Sequence, residues 1–367
     1  MKVLFPYPNI YGTFPDIFEY VENLRAMGID AGYIGWKYTG SRIEFLRQLA
    51  SRIKEAEPDI VHVFHFRSSG LLPLLVRDGK IKWIIDVRTV HVENRRLEPE
   101  KYPWLKTRIT WLETQTYNHI FALTPTIKKW LQPSIRPISL VPLGADVHKL
   151  RDLANVNSRM ELRTKLGIPQ DAKVFLYSGS LSPSRQVDKV IRAFAKLVAN
   201  GFISYFVFIG GVRSVDEQRE CIILKSYADL CERLGIGEYV RFTGWMPYDE
   251  AVKYYSIGDV GVVYLPPKTV YTTQPPTKLI EYMAAGLLAV GNNVPGVTEF
   301  IRDQETGILC ENSVEELTEG MRRALQVLND PQSLQRIKQT AWESVRDRDW
   351  KYIVQNYVMP VYMRLLK

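Results

Sequence analysis

The sequence predicts an α/β protein of two doubly wound domains, and three observations carry that reading. Short apolar runs alternate with helical patterns along the chain, as expected of parallel sheets with crossover helices. At 367 residues the chain is longer than one ordinary domain and suits two. A polar stretch over 152–164 separates two such series and reads as a linker.

In the first half, Lys2–Pro6 reads as a strand, and a helical pattern over 14–27 closes at Gly28. A strand over 30–35, a helix over 41–56, and buried strands over 59–64 and 83–87 follow. The second half repeats the rhythm. A strand over 174–177 ends at Ser178-Gly179, and Val187, Val190, Ile191, Phe194, Leu197 and Val198 mark one buried face of the next helix. Strands over 205–209 and 239–243 each end at glycine, one over 259–265 enters a proline-rich loop, and one over 287–291 follows a helix. The tail from Trp350 to Lys367 places Tyr352, Tyr357 and Tyr362 among apolar neighbours.

Composition narrows the function. The formal net charge is +8, and residues 80–136 carry eleven Lys/Arg against five Asp/Glu, so an anionic partner is expected. That stretch holds no nucleic-acid reading motif, so no nucleic-acid partner is expected. Arg95, Arg96, Lys101, Lys106, Arg108, Lys128 and Lys129 lie there among Trp104, Trp111 and Trp130, a mixture that suits an anionic membrane surface. Three cysteines without a Cys-x-x-Cys pair argue against a disulfide framework or zinc ribbon. The N-terminus has too few apolar residues before Pro6 for a secretory segment, and no run is long enough to span a membrane. A cytoplasmic protein, with peripheral contact at the inner face of the membrane, is the expectation.

Several chemistries lose their fingerprints. The chain has no P-loop, no Gly-x-Gly-x-x-Gly after a strand, no Gly-x-Ser-x-Gly elbow and no His-Glu-x-x-His. His62 and His65 are three apart on a strand, so they face opposite ways and cannot form one metal site alone. Asp347-Arg348-Asp349 has no strand before it and reads as a solvated charge run.

The richest segment is Thr273-Gln274-Pro275-Pro276-Thr277-Lys278-Leu279-Ile280-Glu281-Tyr282-Met283-Ala284-Ala285-Gly286. Pro276 suits the first turn of a helix and Gly286 its end. Free N–H groups of that first turn, following a strand and a loop, make a phosphate site, to which Lys278 adds a cation. Glu281 lies one turn on from Thr277, on the same face, and a carboxylate there could take two ribose hydroxyls. The bland alternative is an amphipathic helix with solvent-facing Lys and Glu.

This segment resembles the nucleotide-sugar-binding helix of glycosyltransferase family 4, a retaining family of the GT-B fold. The family pattern is Glu, seven residues, Glu; Glu281 matches the second, and Thr273 stands at the first. A family branch with Ser-Pro-x-Lys-x-x-Glu-Tyr-Met is similar to 275–283 here. Val141-Pro142-Leu143-Gly144-Ala145-Asp146, then Phe242-Thr243-Gly244-Trp245 with Tyr254, Tyr255 and Asp259, and Asn293-Val294-Pro295-Gly296 extend the likeness.

The resemblance implies two Rossmann-like domains facing a central cleft. An acceptor-side domain is expected over 1–150, a nucleotide-sugar domain over 151–345, and a final helix over 346–367 crossing back onto the first domain. It implies a metal-independent retaining transferase using an NDP-sugar (UDP or GDP) and a glycan or lipid-linked acceptor, with no cofactor. Arg185 takes the place of the family's diphosphate Lys, and Ser180 stands where the family has Arg. Arg185 and Lys278 are thus the implied catalytic residues, and Ser180, Gly244, Pro276, Thr277 and Glu281 the implied donor site. Gly12 and either Arg88 or His91 are the acceptor-side candidates. Two rivals stay open: a nucleotide-sugar-binding protein without transfer, and an NDP-sugar epimerase.

Overall fold

A computed structural model describes residues 1–7, 15–35, 41–88, 103–153, 158–212, 217–267 and 275–367. They form two units, one of Met1–Gly144 with Trp350–Lys367 and one of Ala145–Asp349.

The first unit holds a parallel sheet in the order β2-β1-β3-β4-β5-β6. Its strands are β1 (Lys2–Pro6), β2 (Asp30–Ile34), β3 (Ile60–Phe64), β4 (Lys82–Val87), β5 (His119–Ala122) and β6 (Ile138–Leu140). The first four follow the apolar runs; β5 and β6, at four and three residues, are too short to show a period. Val3, Phe5, Tyr20, Phe64 and Phe121 share a core with Trp350, Ile353, Val358 and Tyr362 of the tail. The tail is a broken helix: Val354–Val358 widens into a π turn ahead of Pro360, which has no N–H to give. His62 is buried and its Nδ1 lies 2.6 Å from the Tyr362 hydroxyl. His65 lies just past the end of β3, not on the strand, and bonds Glu113 at 2.7 Å, so the two histidines have separate partners.

The second unit holds a parallel sheet in the order β12-β11-β10-β7-β8-β9. Its strands are β7 (Val174–Ser178), β8 (Tyr205–Ile209), β9 (Val240–Phe242), β10 (Val260–Val263), β11 (Leu288–Asn292) and β12 (Ile308–Cys310). The chain leaves β7 toward β8 and β9, then returns to β7's other side with β10. A crevice therefore opens between the carboxyl ends of β7 and β10, the topological switch point of the sheet. The helix Val187–Ala199 buries Val187, Val190, Ile191, Phe194 and Leu197 as its spacing predicts.

Two expectations about the boundary are corrected. The units divide after Gly144 and after Asp349, not after 150 and 345. The helix Val147–Leu153 buries Val147 and Leu150 within the second unit, and Ala145 donates its N–H to the Arg348 carbonyl at 2.9 Å. Nor is 152–164 a plain linker, because Ser158–Lys165 is a helix whose Arg163 is fully buried. That guanidinium donates to the carbonyls of Ile257, Pro169, Gln170 and Ala172 and to Asp259, so its donors are satisfied in the interior. Polarity in the sequence was a poor guide to exposure here.

Candidate active site

The β7 strand runs into Ser178-Gly179, and the helix Thr277–Ala284 starts beside it, capped at Pro276. Leu279, Ile280, Tyr282 and Met283 anchor this helix in the unit; the Leu279 N–H bonds the Pro276 carbonyl at 3.0 Å, and the Thr277 and Lys278 N–H groups precede any helical acceptor. The Lys278 ammonium lies 4.1 Å from the centroid of the Tyr177 ring. Gly179 has φ +120°, and a Cβ there would sit 3.0 Å from Lys278 Nζ, so glycine opens the space the ammonium uses.

Arg185 closes the short turn Pro183–Arg185 that follows β7. Burial, and then the charge of Arg185, push the Lys278 amine down to about 7, against the pull of Glu281. When both are charged, Lys278 and Arg185 repel one another, and a bound anion relieves that repulsion. Ser180 is exposed, and its Oγ accepts from the N–H of Ser182 at 3.3 Å.

Glu281 is only 6% exposed, which overturns the reading of a solvent-facing Lys and Glu pair. The Tyr255 hydroxyl donates to its Oε2 at 2.7 Å and lies 3.1 Å from Ser178 Oγ. Burial raises the Glu281 carboxyl above its ordinary range, while hydrogen bonds from Tyr255 and Tyr248 and the charge of Lys278 hold it down. Below it, the Ser178 N–H donates to the Tyr282 hydroxyl at 2.6 Å, tying β7 to the helix. Sequence reasoning gave Tyr255 no role; its place in the Tyr-Tyr…Asp pattern was the available signal.

Gly244 follows β9 and forms a bridge with Gly210 at the end of β8. Its neighbour Trp245 is exposed, with its N–H donating to Glu220 Oε1 at 3.2 Å. At the usual strand spacing, this end lies about 10 Å across the sheet from β7. Arg185, Lys278, Thr277, Pro276 and Glu281 are thus gathered at the switch point, with Gly244 further along the same edge.

The acceptor-side candidates fare differently. Gly12 and His91 lie outside the described residues, as does Thr273. Arg88 is buried at the end of β4 and turned inward. It donates to both Asp86 oxygens at 3.0 Å, to Asp16 at 2.8 Å and to the Tyr20 hydroxyl at 3.0 Å. Its guanidinium lies 5.0 Å from the Phe64 ring centroid. These contacts make Arg88 part of the unit's interior.

Among the described residues, no group of three His, Cys, Asp or Glu is placed to hold a metal. Asp347 is exposed, whereas Asp349 is half-buried and pairs through its backbone with Ala145, so Asp-x-Asp is not wholly a solvated run.

Across 91% of this chain and 80% of its own length, a D-inositol 3-phosphate glycosyltransferase of Corynebacterium efficiens is 25% identical. An N-acetyl-alpha-D-glucosaminyl L-malate synthase of Bacillus anthracis is 27% identical over 51% of this chain and 44% of its own. The crystal structure of a glycosyltransferase from Rickettsia africae superposes with a TM-score of 0.77 at 17% identity, covering 100% of this chain and 98% of that one. Anabaena HepE in complex with UDP-glucose superposes with a TM-score of 0.75 at 15% identity, covering 99% of this chain and 100% of that one. Two doubly wound units of this kind are the GT-B fold. Residues 158–343, which contain the whole Lys278–Glu281 site, match the glycosyl transferases group 1 family, and the chain belongs to it.

Proposed function

We propose that this glycosyltransferase moves a sugar, with retention, from a UDP- or GDP-sugar to a hydroxyl of a glycan or lipid-linked acceptor, without a metal ion. The observation that carries the reading is the Lys278 ammonium beside Gly179, with Arg185 on the turn that follows β7 and buried Glu281 one turn behind. In the proposed reaction the bond from the sugar's anomeric carbon to the β-phosphate oxygen breaks. The acceptor oxygen bonds that carbon from the same face, and its proton passes to the departing phosphate. Charge gathers on the diphosphate as it leaves, and Lys278, Arg185 and the helix N-terminus stabilise it where a metal would otherwise be needed. Glu281 Oε1 and the Thr277 N–H are assigned to the ribose and phosphate. Gly244 and the exposed Trp245 mark the end of the sheet edge given to the base. The UDP-glucose named for the HepE structure favours the donor class.

The test is a thermal-shift panel of UDP-, GDP- and ADP-sugars with and without EDTA, followed by assay of NDP release with acceptors. Ligand stabilisation scales with concentration over dissociation constant, so weak donors register too. Glu281→Ala and Arg185→Ala should each weaken nucleotide binding about tenfold or more, the loss of one charge-assisted contact. Unchanged affinity in both folded variants overturns the site. Loss of activity with EDTA, restored only by Mg²⁺ or Mn²⁺, overturns the metal-free leaving-group role. Nucleotide binding with no NDP release would instead indicate a binding protein, and acceptor-free conversion of the donor an epimerase.

A further inference from the structure

The helix Pro103–Thr114 of the first unit turns leucine and isoleucine side chains outward. Its buried side chains include Thr110 and Thr114, while Leu105, Ile109 and Leu112 are exposed at i, i+4 and i+7 along one face. Two neighbouring segments continue this apolar surface. The turn Ser69–Leu71 abuts the helix so closely that a Cβ on Gly70 would sit 2.6 Å from Glu113 Cα, and Leu71 and Leu74 beside it are exposed. On the other side of the helix, Trp111 Nε1 donates to the Pro133 carbonyl at 2.6 Å, and Gln115 accepts the Ile135 N–H at 3.1 Å. Ile135 is 77% exposed.

Exposed cations accompany these residues: Arg108 on the helix, Arg67 and Arg77 around the turn, and Lys129 in the segment leading to Pro133. Of the tryptophans expected to face lipid, Trp111 is half-buried with its indole N–H committed, and Trp130 is half-buried. Leucine and isoleucine, not tryptophan, supply the apolar contact.

We infer that this face docks on an anionic lipid bilayer, with Leu105, Ile109 and Leu112 entering the headgroup–acyl boundary and Arg108, Arg67 and Arg77 meeting lipid phosphates. Apolar residues in a row leave water only if something covers them, and the flanking cations require that cover to be anionic. A second copy of the chain would bring the same cations together, so charge disfavours self-association. The inference rests on the lipid-linked acceptor class proposed above. Its readout is vesicle binding, independent of sugar transfer, so the two readings fail separately.

The full chain is sedimented with vesicles of phosphatidylglycerol and phosphatidylcholine, and with phosphatidylcholine alone. Binding is expected to the first and not the second, and to fall as salt rises. Ile109→Ser with Leu112→Ser should weaken binding about tenfold or more, as should Arg108→Ser with Lys129→Ser, and both should keep nucleotide binding. Leu105→Ser serves where a double variant folds poorly. Equal binding to both vesicles, or serine variants that bind like the parent, overturns the inference. So does a concentration-dependent dimer abolished by Ile109→Ser with Leu112→Ser, which would assign the face to a second copy.

Discussion

The Tyr255 hydroxyl lies 2.7 Å from Oε2 of Glu281, and both side chains are buried. This phenol, together with Tyr248, fixes the carboxylate in its enclosure. Tyr255→Phe keeps the ring and removes the bond. It should weaken nucleotide binding by about 1.5–3 kcal/mol, the worth of a hydrogen bond to a charged group. It should also move the pH dependence of binding upward, because Glu281 loses a contact that lowers its pKa. Calorimetric titration across pH checks both. Weaker binding with an unmoved pH profile would leave Tyr255 a packing residue.

Lys278 predicts a proton taken up on binding. Its amine falls from 10.5 to about 7 in the folded chain, so the unfolded chain binds more protons between those values. Its contribution to stability is therefore present above 10.5 and lost as pH falls toward 7. A bound diphosphate restores the ammonium form. Affinity for an NDP-sugar, whose diphosphate does not titrate in this range, should fall up to about tenfold per unit as pH rises past 7. Calorimetry in buffers of different ionisation enthalpy should show uptake approaching one proton, and Lys278→Met should abolish it. An unchanged slope in that variant would move the titration elsewhere.

Arg88 is expected to matter for stability rather than for acceptor chemistry. Arg88→Met leaves buried Asp86 and half-buried Asp16 without their cation, at a cost of about 3–5 kcal/mol near neutral pH. Burial raises both carboxyls in the folded state, so the loss should shrink as pH falls and they protonate. Urea unfolding at neutral and mildly acid pH measures this. A variant as stable as the parent at both would free Arg88 for another role.

Gly144 tests the seat of the tail. A Cβ there would stand 2.5 Å from the ring of buried Trp350, so Gly144→Ala should cost about 1–3 kcal/mol through overpacking. Gly79→Ala, with nothing within 4 Å of its Cβ position, is the matched control. Equal urea midpoints for the two variants would mean the tail gives way without cost.

By itself the sequence determined the alternation of strands and helices, the two-unit architecture and the segment over 275–286, because hydrophobic period and Pro/Gly punctuation are local properties. The buried face of Val187–Ala199 is legible for the same reason. Only the tertiary structure decided what the polar residues do. Arg163 falls in a stretch that reads as a polar linker and Arg88 reads as an acceptor-side candidate; both are interior, since burial depends on carbonyls and carboxylates supplied by distant segments. Glu281 reads as solvent-facing on a helical wheel and is enclosed by tyrosines from another turn of the chain. Conversely, Leu105, Ile109 and Leu112 are apolar and face outward. Periodicity marks which residues share a face; which side of that face meets the protein is settled by the neighbours the fold brings to it.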